Sequence, residues 1–209
     1  MFGDGSLTFR EFATREPLPL ATIHDAVLEF LRGRDDCVLL GAQAVNAYVA
    51  QARMTEDVDI ASPRAAELAE ELRAFLHQRF HIAVCVLQVK EGMGYRIYQV
   101  RKPKNRHLVD VRLVANLPPA KRVKKILVVT PPELIANKVM SMVGRQHKAK
   151  GLIDKADLYR LLLVFPQLKV EEGPVAERLR AAEASEGVIA VWKELVTEDV
   201  EPEGEDDKF

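Results

Sequence analysis

Two aspartates two residues apart, Asp57 and Asp59, lie in the run Arg53-Met-Thr-Glu-Asp-Val-Asp-Ile60. On an extended strand, residues i and i+2 share one face, with α carbons ~6.5 Å apart. The alternation sends Val58 and Ile60 to the other face, toward a core. Carboxylates that close repel unless a proton or cation sits between them, and a hard divalent ion with oxygen ligands is the usual resolution. A third acid, Asp110, stands in His107-Leu-Val-Asp-Val-Arg-Leu-Val114, whose apolar neighbours predict an interior strand. A carboxylate buried there alone would cost on the order of several kcal/mol, so it needs a partner, and a shared metal ion is one. Upstream, Gly41 closes an apolar run and opens a helix, a junction where backbone amides and a helix amino terminus can approach a phosphate. Taken singly, an Asp-x-Asp pair can equally be solvent-facing and a lone glycine can be only a turn.

The elements that must position these residues follow from periodicity. Leu20 to Arg32 has Ile23, Val27, Leu28 and Leu31 at helical spacing, with Gly33 as the stop. Residues 36–40 read as a short buried strand and 42–52 as a helix. Asp57 to Ala61 reads as a half-buried strand, and Ser62-Pro63 supplies a cap and first-turn proline for a helix over 64–80. Three further strands are predicted at 81–90, 95–101 and 108–115, the first two joined by the turn Glu91-Gly-Met-Gly94. From Thr130 the pattern turns helical. Thr-Pro-Pro-Glu starts a helix striped by Leu134, Ile135, Val139, Met142 and Val143, and others follow at 152–165, 175–183 and 188–196. The expected organisation is α/β (α+β): a mixed sheet with flanking helices over 1–129, a helical lobe over 130–197, and an acidic, disordered tail over 198–209. Eight acids against the single Lys208 after Lys193, with Pro202 and Gly204 among them, motivate that tail.

The chain resembles a known family in several motifs. Leu40-Gly-Ala-Gln-Ala-Val-Asn-Ala-Tyr48, followed by Arg53-x-Thr55-x-Asp57-Val-Asp59, is similar to the signature of bacterial nucleotidyltransferase-fold proteins related to the AbiEii toxins of type IV toxin–antitoxin systems. Asp110 matches the third strand aspartate, and Pro132 to Lys138, Arg145 through Lys150, Asp154 and Asp157-Leu match the helical region. The matches keep the family's order over roughly residues 36 to 163. The resemblance implies a nucleotidyltransferase-like core and metal-dependent transfer of NMP from an NTP to an acceptor hydroxyl. Asp57, Asp59 and Asp110 would be catalytic and hold Mg²⁺ (or Mn²⁺), with Asp110 helping to deprotonate the acceptor. Gly41, Ala42, Arg53, Thr55, Lys138, Arg145, Lys150, Asp154 and Asp157 would bind nucleotide, and an antitoxin protein is an implied partner. Ala42 departs from the family's usual Gly or Ser: it keeps the amide and small size but offers no hydroxyl to a phosphate.

Composition narrows the rest. The chain has 209 residues, 48% hydrophobic, with net charge −1 and pI near 6.5, so an attraction to nucleic acid must come from local clustering. Arg101, Lys102, Lys104, Arg106, Arg112, Lys121, Arg122, Lys124 and Lys125 are nine cations in twenty-five residues, opposed only by Asp110. Lining the site, they would draw a polyanion, an RNA such as a tRNA 3′ end; otherwise they are solvated loops. Base-specific readout lacks support, with only Tyr95 and Tyr98 nearby. Cys37 and Cys85 sit in apolar runs and read as buried free thiols. No export signal or membrane-spanning run is apparent, so the expected compartment is the cytoplasm. The five histidines have no ligand spacing to one another, and Ser6 and Ser141 have no triad partners. Open alternatives are transfer to a protein or small molecule, and a fold member that binds nucleotide without turnover.

Overall fold

The computed structural model describes residues 18–89 and 92–201. Ser6, the start of the chain, Lys90 of the strand expected over 81–90, Glu91 of the expected turn, and residues 202–209 of the expected tail lie outside the described residues. The chain divides into two compact units: one takes the chain up to Ala47 with Arg53–Val129, the other Tyr48–Ala52 and the chain from Thr130.

The first unit is built on a seven-stranded mixed sheet. Its elements are α1 (Leu20–Leu31), β1 (Val38–Leu40), α2 (Gly41–Tyr48), β2 (Val58–Ser62), α3 (Ala65–Phe80), β3 (Val84–Val89), β4 (Gly94–Gln99), β5 (Arg106–Leu113), β6 (Ala120–Val123) and β7 (Ile126–Val129). The strand order is β3-β4-β5-β2-β1-β7-β6, so β2 at the centre and its neighbour β5 carry Asp59 and Asp110. β2 runs parallel to β5 and antiparallel to β1, with Asp59 opposite both Asp110 and Leu40. The core follows from spacing: α3 buries Ala65, Leu68, Ala69, Leu72 and Leu76, and α1 buries Ile23, Val27 and Leu31, one helical face each. Val58, Ile60, Ile97, Val109 and Val111 complete it from the sheet.

Several expected boundaries shift for local reasons. The helix expected over 42–52 ends at Tyr48. The Asn46 side chain donates to the Arg53 carbonyl at 2.9 Å and accepts from the Arg53 N–H at 3.1 Å, turning the chain back toward β2. Asp57 precedes β2 rather than opening it. Ser62 ends β2; its hydroxyl accepts from the Arg64 N–H and donates to the Asp36 carbonyl, tying β2 to the start of β1 instead of capping α3 from within. The hairpin β6–β7 was not expected. Its sequence pattern predicts only basic loop, yet β7 joins β1 in parallel through Leu39 and Val128. Cys37 is buried, whereas Cys85 is half-buried.

The second unit holds α4 (Pro131–Gly144), α5 (Ala149–Val164), a 3-10 turn (Pro166–Leu168), α6 (Pro174–Ala181) and α7 (Glu186–Thr197). Leu134, Ile135 and Val139 of α4 are buried, as are Leu158, Leu161 and Leu162 of α5, Leu179 of α6 and Trp192 of α7. Glu198, placed by composition in the tail, accepts from the Tyr159 hydroxyl and the Lys155 amine. No helix among the described residues is long and apolar enough to cross a membrane.

Candidate active site

The acids gather because register and strand direction place them there. In a parallel pair, residues in register point to the same face, so Asp59 and Asp110 stand side by side on β2 and β5. Asp59 packs on the junction of β1 and α2. Gly41 has φ +62°, and a Cβ built on it would lie 1.9 Å from Asp59 Oδ2. Only glycine permits both that left-handed turn and that approach.

Asp57 meets Asp110 through a residue that sequence spacing hides. His107 Nδ1 lies 3.3 Å from Asp57 Oδ2, and His107 Nε2 lies 3.2 Å from Asp110 Oδ1. Residues i and i+3 of a regular strand face opposite sides. Here, however, the β4–β5 pairing runs from Ile97↔Val109 directly to Tyr98↔His107, skipping Leu108. The bulge restores His107 to the face of Asp110, and the Tyr98 ring backs the imidazole at 5.0 Å. One ligand atom from each of Asp57, His107 and Asp110 falls within 4.8 Å of the others, and all three side chains are part-exposed.

Asp110 is part-exposed rather than buried in the interior, and its partners are protein: Arg96 Nε donates to Asp110 Oδ1 at 2.9 Å, and His107 shares the same oxygen. Burial alone would raise the Asp110 carboxyl, but the bonds and charges of His107 and Arg96 outweigh it and hold the group below its usual range. The His107 imidazole is raised, first by its bond to Asp110, against the opposing effect of burial. His24, buried nearby on α1, is lowered by desolvation, with Asp57 acting the other way.

The remaining expected residues fall into distinct settings. Ala42 follows Gly41 in the first turn of α2. Thr55 is buried; its hydroxyl accepts from Gln43 Nε2 at 2.8 Å and lies 3.4 Å from His24 Nδ1, so it shapes the loop before β2. The Arg53 guanidinium donates to the Met54 carbonyl. In the second unit the buried Lys138 amine donates to Asp154 at 3.0 Å and Asp157 at 2.7 Å, and Arg145 donates to Asp154 at 3.1 Å. Asp157 is fully buried. Gly151 makes this cluster possible: a Cβ on it would lie 2.4 Å from the Arg145 carbonyl. Lys150 is exposed in the first turn of α5.

The basic segment does not act as one patch. The β4–β5 loop, with Arg101, Lys102 and Lys104, lies at the carboxyl end of β1, where Gly41 and His107 sit, because β5 starts at that end. Lys124 and Lys125 form the β6–β7 turn at the amino end of β1, where Arg122 bonds Asp35 and the Arg34 carbonyl.

A family model described as the nucleotidyl transferase AbiEii toxin of type IV toxin–antitoxin systems matches residues 25–207. No curated protein matches the sequence significantly. Among solved structures, the Megavirus polyadenylate synthase is similar at a TM-score of 0.53 and 14% identity, over 70% of this chain and 32% of that one. The chain thus spans about a third of that protein's length. JHP933 from Helicobacter pylori is similar at a TM-score of 0.50 and 12% identity, over 91% of this chain and 93% of that one. Both likenesses are of fold.

Proposed function

From the premise that this chain belongs to the AbiEii nucleotidyl transferase toxin family, we propose that it moves NMP from an NTP to an acceptor hydroxyl, on RNA, in the cytoplasm, as the toxin of a pair whose antitoxin is a protein. It is a nucleotidyltransferase by family; the acceptor and the metal are our inference. The observation that carries it is that Asp59 stands beside Asp110 on neighbouring strands and against Gly41, while Asp57 and Asp110 each offer an oxygen within 4.8 Å of the other.

The donors fit a divalent cation, since oxygens of two carboxylates and an imidazole nitrogen lie within one ion's reach. Mg²⁺ or Mn²⁺ held by the acids would supply charge to screen the triphosphate and acidify the acceptor hydroxyl. The chain's own residues do the rest. Gly41 and Ala42 present small surface and backbone at the phosphates. Asp110 Oδ1 is taken by Arg96 and His107, so Oδ2 is the atom to receive the acceptor's proton. Arg53 and Thr55 shape the loop that delivers Asp57. Lys138 is held between Asp154 and Asp157, and Arg145 balances the remaining charge through Asp154, so we assign the phosphate-binding role in that stretch to the exposed Lys150 and to the part-exposed guanidinium of Arg145.

A second reading, nucleotide binding without turnover, is favoured by the Arg96–Asp110 ion pair and by Ala42. Incubation with each labelled NTP, divalent metal and total RNA separates the two. We expect label in RNA from the wild type and at least ~10³-fold less from Asp57→Ala. Equal labelling by both would remove Asp57 from the reaction, and bound nucleotide with no pyrophosphate released would favour the second reading.

A further inference from the structure

We propose that His107 is itself a ligand of the divalent ion, so that the site is a carboxylate–imidazole–carboxylate set that prefers a first-row transition-metal ion to Mg²⁺. This rests on the nucleotidyltransferase reading of the site and changes its donor chemistry.

Three observations converge on the imidazole. First, it stands between the two acids, with a ring nitrogen 3.3 Å from Asp57 and the other 3.2 Å from Asp110. Ligand atoms at ~2.1 Å from one cation and about 100° apart are themselves ~3.2 Å apart, so the spacing between whichever ring nitrogen binds and its own carboxylate already suits one coordination sphere, and one ligand atom from each of Asp57, His107 and Asp110 lies within 4.8 Å of the others. Second, the ring needs no new partner to be oriented. Whichever nitrogen binds the ion, the other faces a carboxylate that can accept its N–H, the arrangement that fixes the tautomer of metal-bound histidines. Third, its placement is built in. The skipped Leu108, itself fully buried, turns His107 to the acid face, and Tyr98 packs against the ring.

Asp59, by contrast, packs its carboxylate on Gly41, and Asp110 shares Oδ1 with the Arg96 guanidinium. An all-carboxylate site would therefore leave the nearest nitrogen donor idle. Mg²⁺ takes oxygen ligands and tolerates little departure from octahedral geometry, whereas imidazole suits the later divalent ions.

The test uses the full chain titrated with Mn²⁺ alone, read by pulsed EPR, which reports nitrogen bound directly to manganese. We expect a ¹⁴N coupling in the wild type that becomes a ¹⁵N coupling when histidine is isotopically labelled, a change that needs no variant and carries no folding risk. His107→Gln should lose the coupling, and His24→Gln, at the other histidine near Asp57, should keep it. The ratio of Mg²⁺ to Mn²⁺ dissociation constants should fall at least ~10-fold in His107→Asp, which restores an oxygen-only site. Manganese bound through Asp57 without nitrogen coupling overturns this inference and leaves the proposed reaction standing. Nitrogen coupling with no NMP transfer to any acceptor keeps the inference and overturns the reaction. No manganese bound at all overturns both.

Discussion

Gly41 is the residue at which the glycine motif and the acids become one structure. Its φ of +62° costs an L side chain about 1–2 kcal/mol, and a Cβ there would lie 1.9 Å from Asp59 Oδ2, so a methyl group must displace either the turn or the carboxylate. Gly41→Ala is expected to lower both the melting temperature and NMP transfer, the latter by ~10²-fold or more, because it moves an acid of the site. Asp57→Ala, at a part-exposed position, should lower transfer while leaving the melting temperature nearly unchanged. A Gly41→Ala protein with wild-type transfer would show that Asp59 need not sit where it does. At this scale the sequence displays the acids and the glycine, because a strand's period of two is enough to group them. It conceals His107. Spacing of three along a strand predicts opposite faces, and nothing in His-Leu-Val-Asp announces that β4 will skip Leu108. Arg96 is hidden similarly, since its contact with Asp110 depends on cross-strand register.

The elements with strong periodicity are those the sequence locates within a few residues: α1, α3, α4, α5 and strands β2 to β5. The β6–β7 hairpin was illegible because its strands are four residues each and Lys121 and Arg122 mask the pattern. What holds β7 is a tertiary pairing with β1. The amino end of β1 is also fastened by charge. Arg34 grips both oxygens of Asp36 at 2.9 and 2.8 Å and also reaches Glu71 of α3, while Arg64 bonds the same two acids. The Arg34 guanidinium, against the opposing effect of burial, holds the Asp36 carboxyl below its ordinary value. A depressed folded pKa stabilises the protein above the unfolded value of about 3.9 and loses that contribution as pH falls through the folded value. Unfolding midpoints of wild type and Asp36→Asn should therefore differ most near neutral pH and converge below about pH 4. A difference that persists unchanged at low pH would assign the effect to packing rather than charge.

For the molecule as a whole, a net charge of −1 says nothing about a polyanionic acceptor, and the count of nine cations over 101–125 says too much. Strand direction divides them. Arg101, Lys102 and Lys104 share the end of the sheet that holds Gly41 and His107, and Lys124 and Lys125 occupy the opposite end. If RNA enters the site, only the first group can neutralise its phosphates as the 3′ hydroxyl approaches Asp110. Each phosphate neutralised on a single strand contributes about 0.7 to the slope of log affinity against log salt. Replacing Lys102 and Lys104 by alanine should weaken RNA binding at low salt and flatten that slope by ~1.4. Replacing Lys124 and Lys125 removes the same charge from the chain but should leave the slope unchanged. Equal losses from the two pairs would mean that RNA is attracted by overall charge rather than held beside the acids, and equal indifference would direct the search for the acceptor toward proteins and small molecules.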